Sequence, residues 1–182
     1  AGIIAIPYDL TDLGDAQFVM VQGAGTNNPG MTTEFNIVGQ NAIMVDDYGD
    51  GDFYMGMRFM SRYIPTQPVV KDANKVKVGT GKLKVRQFLV QFIKTGFIKA
   101  LISSKFGFAA SVEYSGRTVG DPENIVGEPA VTDGTFEVPF RENTDYGVLE
   151  LQSDSHTPFT ITEIEWVGQY TKRGKRILSG DE

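Results

Sequence analysis

The fold is decided by an alternating stretch in the middle of the chain, Leu83-Lys84-Val85-Arg86-Gln87-Phe88-Leu89-Val90-Gln91-Phe92-Ile93. Successive side chains of a β-strand point to opposite faces, so the spacing gives this stretch two different sides. One side carries Leu83, Val85, Leu89 and Ile93, and the other carries Lys84, Arg86, Phe88, Val90 and Phe92. The pattern predicts a strand that begins with a wet face and becomes buried on both faces.

The same period of two recurs before this stretch. Residues 53–63 place Phe53, Met55, Met57 and Phe59 on one face, with Arg58 and Arg62 on the opposite face. This pattern predicts one strand over the eleven residues, because a helix would distribute the arginines around an apolar cylinder. Ala16–Val21 and Thr33–Val38 predict two shorter, half-buried strands.

Turn signals and further strands follow the central stretch. Thr95-Gly96 predicts a hairpin turn into Phe97–Ser103, which is followed by Phe108–Tyr114. Asp133-Gly134 predicts a tight turn into Thr135–Val138, and the last long strand is predicted over Phe159–Tyr170. No segment predicts a helix, since the apolar positions of residues 99–106 suit a strand equally well.

These elements predict an all-β protein, an antiparallel β-sandwich of jelly-roll-like type with a small N-terminal β unit. Pro65 and Pro68 interrupt the pattern, and the residues after them carry few large side chains. The predicted organisation is a first unit over residues 1–65, a connection over 66–80, the sandwich over 81–177 and a flexible tail over 178–182.

Composition excludes several classes of protein. The chain has 182 residues, of which 41% are hydrophobic and 22% charged, as is typical of a globular protein. It contains no cysteine and one histidine, which excludes disulfides and cysteine zinc sites and argues against most metal and charge-relay sites. No apolar run approaches the roughly 20 residues that span a bilayer, and no signal-peptide pattern is present, so we expect a soluble chain made in a cytoplasm.

Charge is arranged in blocks along the chain. Residues 1–57 contain eight acids and no Lys or Arg, residues 71–105 contain nine bases and one acid, and residues 106–171 contain twelve acids and two bases. The net charge of −6 argues against a general nucleic-acid-binding surface. Such blocks indicate solvated faces or, alternatively, acidic and basic faces that meet across subunit contacts.

The densest carboxylate cluster and the densest glycine cluster both lack a complete motif. Asp46, Asp47, Asp50 and Asp52 lie around two glycines, but the spacing places Tyr48 and Met57 where a calcium loop needs ligands. An enzyme with a metal site here would need tight divalent-ion binding that is lost in Asp50→Ala. The loop of Gly23, Gly25 and Gly30 lacks the Lys-Ser/Thr of a phosphate-binding loop. We therefore predict an acidic surface turn and a flexible loop, with no metal site and no cofactor.

Two further arrangements resemble catalytic groups without their geometry. Glu163 and Glu165 would project from one face of a strand, whereas a glycosidase places its two carboxyl groups on opposite sides of the scissile bond. His156 follows Ser153, Asp154 and Ser155, but the members of a catalytic triad converge from separate parts of the chain. We therefore predict no catalytic residues and no enzymatic activity.

The C-terminal third carries an arrangement of motifs that resembles a known family. The motifs are Gly134-Thr135-Phe136-Glu137-Val138-Pro139, residues 149–161 (LELQSDSHTPFTI), Glu165-Trp166-Val167-Gly168-Gln169-Tyr170 and Arg173-Gly174-Lys175-Arg176-Ile177. Met55-Gly56-Met57, Arg62-Tyr63 and residues 81–86 leading to Thr95-Gly96 precede them in the matching order. The arrangement resembles the end of the tail nozzle proteins, or tail tubular proteins B, of short-tailed bacteriophages over residues 53–177.

The resemblance implies a virion structural protein of the phage tail, made in the host cytoplasm. Family members form a hexameric ring that joins the tail adaptor to the outside and lets double-stranded DNA pass during ejection. The implied partners are copies of the chain, the adaptor or other nozzle subunits, and passing DNA without specific binding; no membrane insertion by this chain is implied. Because family members are usually several times longer, the chain is a terminal segment, a separate nozzle subunit or a reduced relative.

The segment at the end of the last strand is the candidate docking arm. Its residues are Trp166, Tyr170, Lys172, Arg173, Lys175 and Arg176. They would add to a neighbour's sheet edge or acidic face, whereas the alternative is a core tryptophan followed by a solvated tail.

The alternative function of the chain is that of a carbohydrate-binding β-sandwich that recognises a receptor. Sugar platforms need aromatic rings exposed together, and Tyr8, Tyr48, Tyr54, Tyr63 and Trp166 lie mostly in patterns that predict burial.

Overall fold

The computed structural model describes residues 2–7, 17–79, 81–116 and 129–172. Their thirteen strands are β1 Ile3–Ala5, β2 Phe18–Gln22, β3 Thr32–Thr33, β4 Phe35–Val38, β5 Asn41–Met44, β6 Phe53–Met57, β7 Ser61–Tyr63, β8 Gly81–Thr95, β9 Phe97–Ser104, β10 Ala109–Ser115, β11 Thr132–Asn143, β12 Gly147–Ser153 and β13 Ile161–Lys172. All strand pairs in the described ranges are antiparallel, and none of these residues is helical. The predicted all-β class is confirmed, whereas the jelly-roll-like arrangement stays a prediction.

Two sheets share the main hydrophobic core. Their strand orders are β10-β9-β12-β7 and β11-β8-β13. Each sheet contributes buried side chains to one cluster, among them Val85 and Val138 from one sheet and Ile98 and Leu151 from the other. Because aliphatic side chains meet between the sheets, the two sheets form a sandwich whose inner faces exclude water.

The inner face of β8 changes partway along the strand. Leu83 and Val85 are buried near its start, whereas Phe88, Val90 and Phe92 are buried farther on. The pairing with β13 slips between Val85 and Gln87, and a β-bulge of this kind turns the following side chains to the other face. The predicted sides of β8 are therefore wrong beyond Arg86, and Ile93 is exposed.

Neither predicted turn around this strand is a turn within a hairpin. β8 and β9 lie in different sheets, so Thr95-Gly96 carries the chain from one sheet to the other. Gly96 passes so close to Thr157 that a Cβ atom would overlap that side chain. Asp133-Gly134 lies inside β11 at a bulge, where the Asp133 carboxylate accepts a hydrogen bond from the Lys94 N–H at 2.7 Å. Both turn predictions are wrong because close packing and bulges use the same small and polar residues as turns.

The first part of the chain forms two smaller sheets, β1-β5-β4 and β3-β2-β6. Their buried cluster consists of Ile6, Met20, Ala42 and Met44. The predicted strand over residues 33–38 is divided at Glu34 between the two sheets, and the one over 53–63 is interrupted at residues 58–60. The second break leaves Phe59 74% exposed, because β6 ends in the small sheet before β7 enters the sandwich.

Several contacts connect the two parts. β7 pairs with β12 through residues 61–63, Arg58 forms a 2.7 Å ion pair with Asp154, and His156 Nε2 lies 2.7 Å from the Gly30 carbonyl oxygen. Residues 64–79 contain one isolated bridge, between Lys71 and Lys77. The predicted boundaries at residues 65, 80 and 177 stay predictions. No helix in the described ranges has the length and apolar character needed to cross a bilayer.

Candidate functional site

The predicted docking arm begins on β13, at an edge of its sheet. β13 pairs with β8 on one side, and no described strand pairs with its other side. Trp166 is 37% exposed and Lys172 is exposed, whereas Tyr170 is half-buried against the core. Arg173, Lys175 and Arg176 lie outside the described residues. The structure therefore places Trp166 and Lys172 at the surface and makes Tyr170 a packing residue.

Tyr170 is held in a tight place. Its ring lies against Gly81, where a Cβ atom would overlap the ring, and its buried hydroxyl has no hydrogen-bond partner among the described residues. Gly81 faces Lys172 across the pair of strands, so this contact fixes the end of β13 against the start of β8.

A groove opens between β13 and the segment that follows β7. We call residues 64–68, Ile-Pro-Thr-Gln-Pro, the strap; it crosses over buried Phe88. The groove has a volume of about 600 Å³, within the range of small-ligand sites. Tyr63 and Trp166 both line it, and Tyr63 is 48% exposed. The prediction that most of the five aromatic residues lie in buried patterns is thus wrong for Tyr63 and for Tyr54, which is also exposed, while Tyr8 lies outside the described residues.

Basic side chains gather at one end of the sandwich, which we call the basic end. Its exposed bases are Lys82, Lys84, Lys105, Arg141 and Lys172. Strand pairing places Lys82 opposite Thr171 and Lys84 opposite Asn143. The Lys105 N–H donates to the Tyr146 carbonyl at 3.1 Å, which joins the tip of the β9–β10 hairpin to the turn between β11 and β12.

The tips at the basic end also expose aromatic rings. Phe106 is 72% exposed and packs edge to face on Tyr146, with ring centroids 5.0 Å apart. The Lys105 ammonium lies 3.9 Å from the Tyr146 ring centroid, a distance that allows a cation–π interaction. Sequence analysis did not single out these residues, although Phe106-Gly107-Phe108 after a lysine is unusually apolar for a turn.

The acidic cluster lies in the first part of the chain, which contacts the sandwich at the end opposite the basic end. Glu34, Asp46, Asp47, Asp50 and Asp52 are all exposed. The acidic turn packs against the glycine loop through backbone hydrogen bonds, from Gly23 N to Asp52 O at 2.7 Å and from Asn27 N to Tyr48 O at 2.8 Å. The two motifs examined for metal and phosphate binding thus stabilise each other. No group of three or more potential metal ligands occurs in the described ranges.

The other catalytic candidates also lie in structural contacts or on open surface. The Ser155 and Thr157 hydroxyls lie 2.8 Å apart, while Asp154 and His156 contact the first part of the chain. Glu163 and Glu165 are both exposed on β13. Nothing in these contacts orients a nucleophile next to a base.

Two ion pairs shift pKa values on the sheet β10-β9-β12-β7. Arg62 donates to both carboxylate oxygens of Glu150, with Nη2 and Oε2 2.6 Å apart. The hydrogen bond from Arg62 holds the pKa of Glu150 below its ordinary value, and the same bond raises the pKa of Arg62. Glu113, 2.8 Å from Lys99, raises the pKa of that ammonium.

A comparison with protein-family models supports the resemblance that the sequence motifs indicated. The family model described as bacteriophage nozzle protein matches residues 3–177. The chain belongs to the bacteriophage nozzle protein family. The match covers nearly the whole chain and starts fifty residues earlier than the resemblance, so it includes the first part. A search of curated proteins found no match.

Family membership identifies a structural component of the phage tail, located in the virion and assembling with other tail subunits. The motifs that carried the resemblance lie in β6, β7, β8, β11, β12, the turn at residues 154–158 and β13, while Arg173-Gly174-Lys175-Arg176-Ile177 lies outside the described residues. These elements build the sandwich, the wall of the groove and the contact to the first part of the chain. The nozzle motifs are thus mainly framework, while the charged and aromatic surfaces lie around them.

Proposed function

We propose that this nozzle-family chain is a subunit of a closed ring, hexameric as in the family it resembles, through which the phage genome passes during ejection. The observation that carries the proposal is the opposite charge of the two ends. The basic end presents five exposed bases and one exposed acid, Asp145, whereas the described residues before Arg58 present five exposed acids and no base.

Opposite charge at opposite ends favours association between unlike surfaces of identical chains. A contact of this heterologous kind repeats from one copy to the next and closes into a ring when the rotation allows. Complementary potentials steer such an encounter and exclude the wrong register. Basic and acidic ends on one chain supply both partners of the contact.

The docking residues fit this arrangement. We propose that Lys172 and the bases that follow it in the sequence, Arg173, Lys175 and Arg176, bind a neighbour's acidic surface. Tyr170, packed against Gly81, holds the end of β13 that carries Lys172, and Trp166 is exposed on the same strand. The aromatic tip of Phe106 and Phe108 supplies apolar area at the same end.

A DNA conduit also needs a lining that does not hold the duplex. Each phosphate neutralised by a base adds sequence-independent affinity, so a channel lined by acids lets DNA slide. The surplus of acids over residues 1–57 and 106–171 is compatible with such a lining. We infer that the chain conducts DNA passively and catalyses no reaction.

Self-association of the full chain tests the ring. We expect light scattering and native mass spectrometry to show oligomers that dissociate as ionic strength rises, because salt screens contacts between exposed charges. Lys172→Glu should weaken association, whereas Lys71→Glu, which changes an exposed base in the connection, should not. A chain that stays monomeric at high concentration and binds no tail component would contradict the proposal.

DNA binding gives an independent check of passive conduction. We expect an electrophoretic shift assay to show no stable complex between the chain and a double-stranded DNA fragment at physiological salt. Tight binding that falls steeply with salt would indicate phosphate contacts and would contradict an acidic lining.

A further inference from the structure

The groove beside β13 has features of a ligand site that the ring does not require. It lies on the flank of the sandwich, between the basic end and the contact to the first part of the chain. The strap forms one wall and residues 161–166 of β13 form the other, with Phe88 beneath them. Its position leaves the two charged ends free, so a ligand here and an end-to-end neighbour do not compete for the same residues.

Aromatic rings lie on both walls of the groove. Tyr63 stands at the start of the strap, while Phe159 and Trp166 belong to the opposite wall. Both Tyr63 and Trp166 remain substantially exposed. Flat rings on two sides of a slot offer apolar faces on which the C–H face of a pyranose ring packs.

Polar residues also line the groove. They are Thr66, Gln67, Thr162 and Glu163, whose hydroxyl, amide and carboxylate groups are of the kinds that form hydrogen bonds with sugar hydroxyls. The carboxylate of Glu163 has no ion-pair partner among the described residues, so it is available to a ligand.

The charge of the lining restricts the ligand. Among the described residues that line the groove, Glu163 is the one carboxylate and none is a Lys, Arg or His. An anionic ligand would therefore meet an uncompensated negative charge, whereas a neutral ligand rich in hydroxyls would not. A purely apolar ligand would leave the carboxylate and amide without partners.

We propose that this groove binds a neutral oligosaccharide, with sugar rings packed against Tyr63 and Trp166 and hydroxyl groups donating to Glu163. The site would give the tail component a contact to glycan in addition to its role in the ring. The ligand class is set by aromatic faces, neutral hydrogen-bonding groups and one acceptor carboxylate in a groove of about 600 Å³.

Tryptophan fluorescence tests the proposal in the full chain. Trp166 is the sole tryptophan of the sequence, so the emission spectrum reports on this groove. Maltohexaose, cellohexaose and chitohexaose serve as neutral probes, and an anionic polygalacturonate fragment serves as the charged comparison. We expect at least one neutral probe to shift the emission and to protect Trp166 from iodide quenching, while polygalacturonate does neither.

Matched substitutions locate the binding. Tyr63→Ala and Glu163→Gln should each raise the dissociation constant at least about tenfold, the equivalent of roughly 1.4 kcal/mol. The controls are Tyr54→Ala, an exposed tyrosine of β6, and Glu165→Gln, an exposed carboxylate of the same strand; neither residue lines the groove. Both controls should leave the dissociation constant within about twofold. Circular dichroism spectra of all four variants establish that they remain folded.

Each other outcome overturns the inference. No response to any neutral probe, equal losses in test and control variants, or a response to a proline-rich peptide but not to saccharides would exclude an oligosaccharide site. An emission shift that depends on protein concentration and not on saccharide would instead make Trp166 a subunit contact. These results leave the salt-dependent association of the ends unaffected, so this site and the ring can fail separately.

Discussion

The sandwich and the first part of the chain hold their strands together in different ways. The strands of the sheet β11-β8-β13 contain 12 to 15 residues, and thirteen buried hydrophobic residues form the shared core of the sandwich. In the described first part, strands contain two to five residues, and the buried cluster has four members. The sandwich thus depends on side-chain burial between sheets, whereas the first part gains much of its order from loops.

The loops of the first part replace some of the missing core. The glycine loop and the acidic turn exchange backbone hydrogen bonds, and the buried Thr26 hydroxyl donates to the Gly23 carbonyl at 2.8 Å. Such contacts satisfy polar backbone groups but bury little apolar area. The comparison teaches that truncating a core side chain should damage the sandwich most, while crowding a backbone contact should damage the first part most.

Truncation of a core ring in the sandwich should have the largest effect. Phe88 is buried and packs edge to face on Phe140 with ring centroids 5.0 Å apart. We expect Phe88→Ala to lower the free energy of unfolding by about 3–5 kcal/mol, because it removes a buried ring and leaves a cavity. Urea unfolding followed by circular dichroism measures the loss. Leu89→Ala, on the half-buried face of the same strand, should cost clearly less; equal losses would contradict the assignment of the inner face.

Crowding the loop contact should have the next largest effect. A Cβ atom at Gly51 would lie 2.5 Å from the Ala24 carbonyl oxygen and 2.5 Å from the Thr26 nitrogen. We expect Gly51→Ala to cost about 1–3 kcal/mol, because backbone atoms must shift to accept the methyl group. Hydrogen exchange should accelerate at the amides of Gly23 and Asn27 and not in β8.

Gly56 provides the matched control in the same part of the chain. A Cβ atom there would meet no atom within 4 Å, so Gly56→Ala should leave exchange at Gly23 and Asn27 unchanged. If both substitutions accelerated hydrogen exchange equally, the cause would be the loss of a glycine in this part of the chain and not the crowding of the loop contact.

Acid should weaken the attachment of β7 to the sandwich by a smaller amount. Arg62 holds the pKa of Glu150 below its ordinary value of 4.5. A carboxyl group with a lowered folded-state pKa stabilises the fold above the unfolded-state value, and this contribution disappears as pH falls through the folded-state pKa. Thermal unfolding between pH 7 and pH 3 should therefore show a loss below about pH 4.5 that Glu150→Gln lacks. An identical acid loss in both proteins would exclude this ion pair as its source.

The sequence predicted the sandwich better than the first part for a physical reason. Long strands repeat the alternation often enough to be recognised, as Gly81–Thr95 and Ile161–Lys172 show. Short strands such as Thr32–Thr33 give no period, and their sheets depend on loop contacts between distant residues. The break at residues 58–60 was missed because Phe59 continues the alternation although the chain is moving from one sheet to another.

Bulges and close approaches account for the other errors. The register slip near Arg86 reverses the faces of β8, although β8 itself has no glycine or proline at that point; Gly168 and Pro139 lie at the slip, but on the neighbouring strands. Gly96 and Gly134 resemble turn residues, but they serve a passage between sheets and a bulge. For the candidate site, the sequence singled out Trp166 on the last strand. It did not bring Trp166 together with Tyr63, because strand pairing and the strap, not a local motif, create the groove.

The smallest effect should come from the ion pair that joins the two parts. Arg58 and Asp154 lie 2.7 Å apart, but their side chains are 50% and 43% exposed, so water and salt screen the attraction. We expect Asp154→Asn to lower the free energy of unfolding by at most about 1 kcal/mol, and a double-mutant cycle with Arg58→Ala to give a coupling energy that fades in high salt.

The control is Arg86→Ala, which should show no coupling to Asp154→Asn. It removes an exposed base that belongs to none of the ion pairs among the described residues. A coupling of several kcal/mol that resists salt would mean that the first part is fixed to the sandwich by a buried contact. The two parts would then respond to the Phe88 and Gly51 substitutions as one cooperative unit.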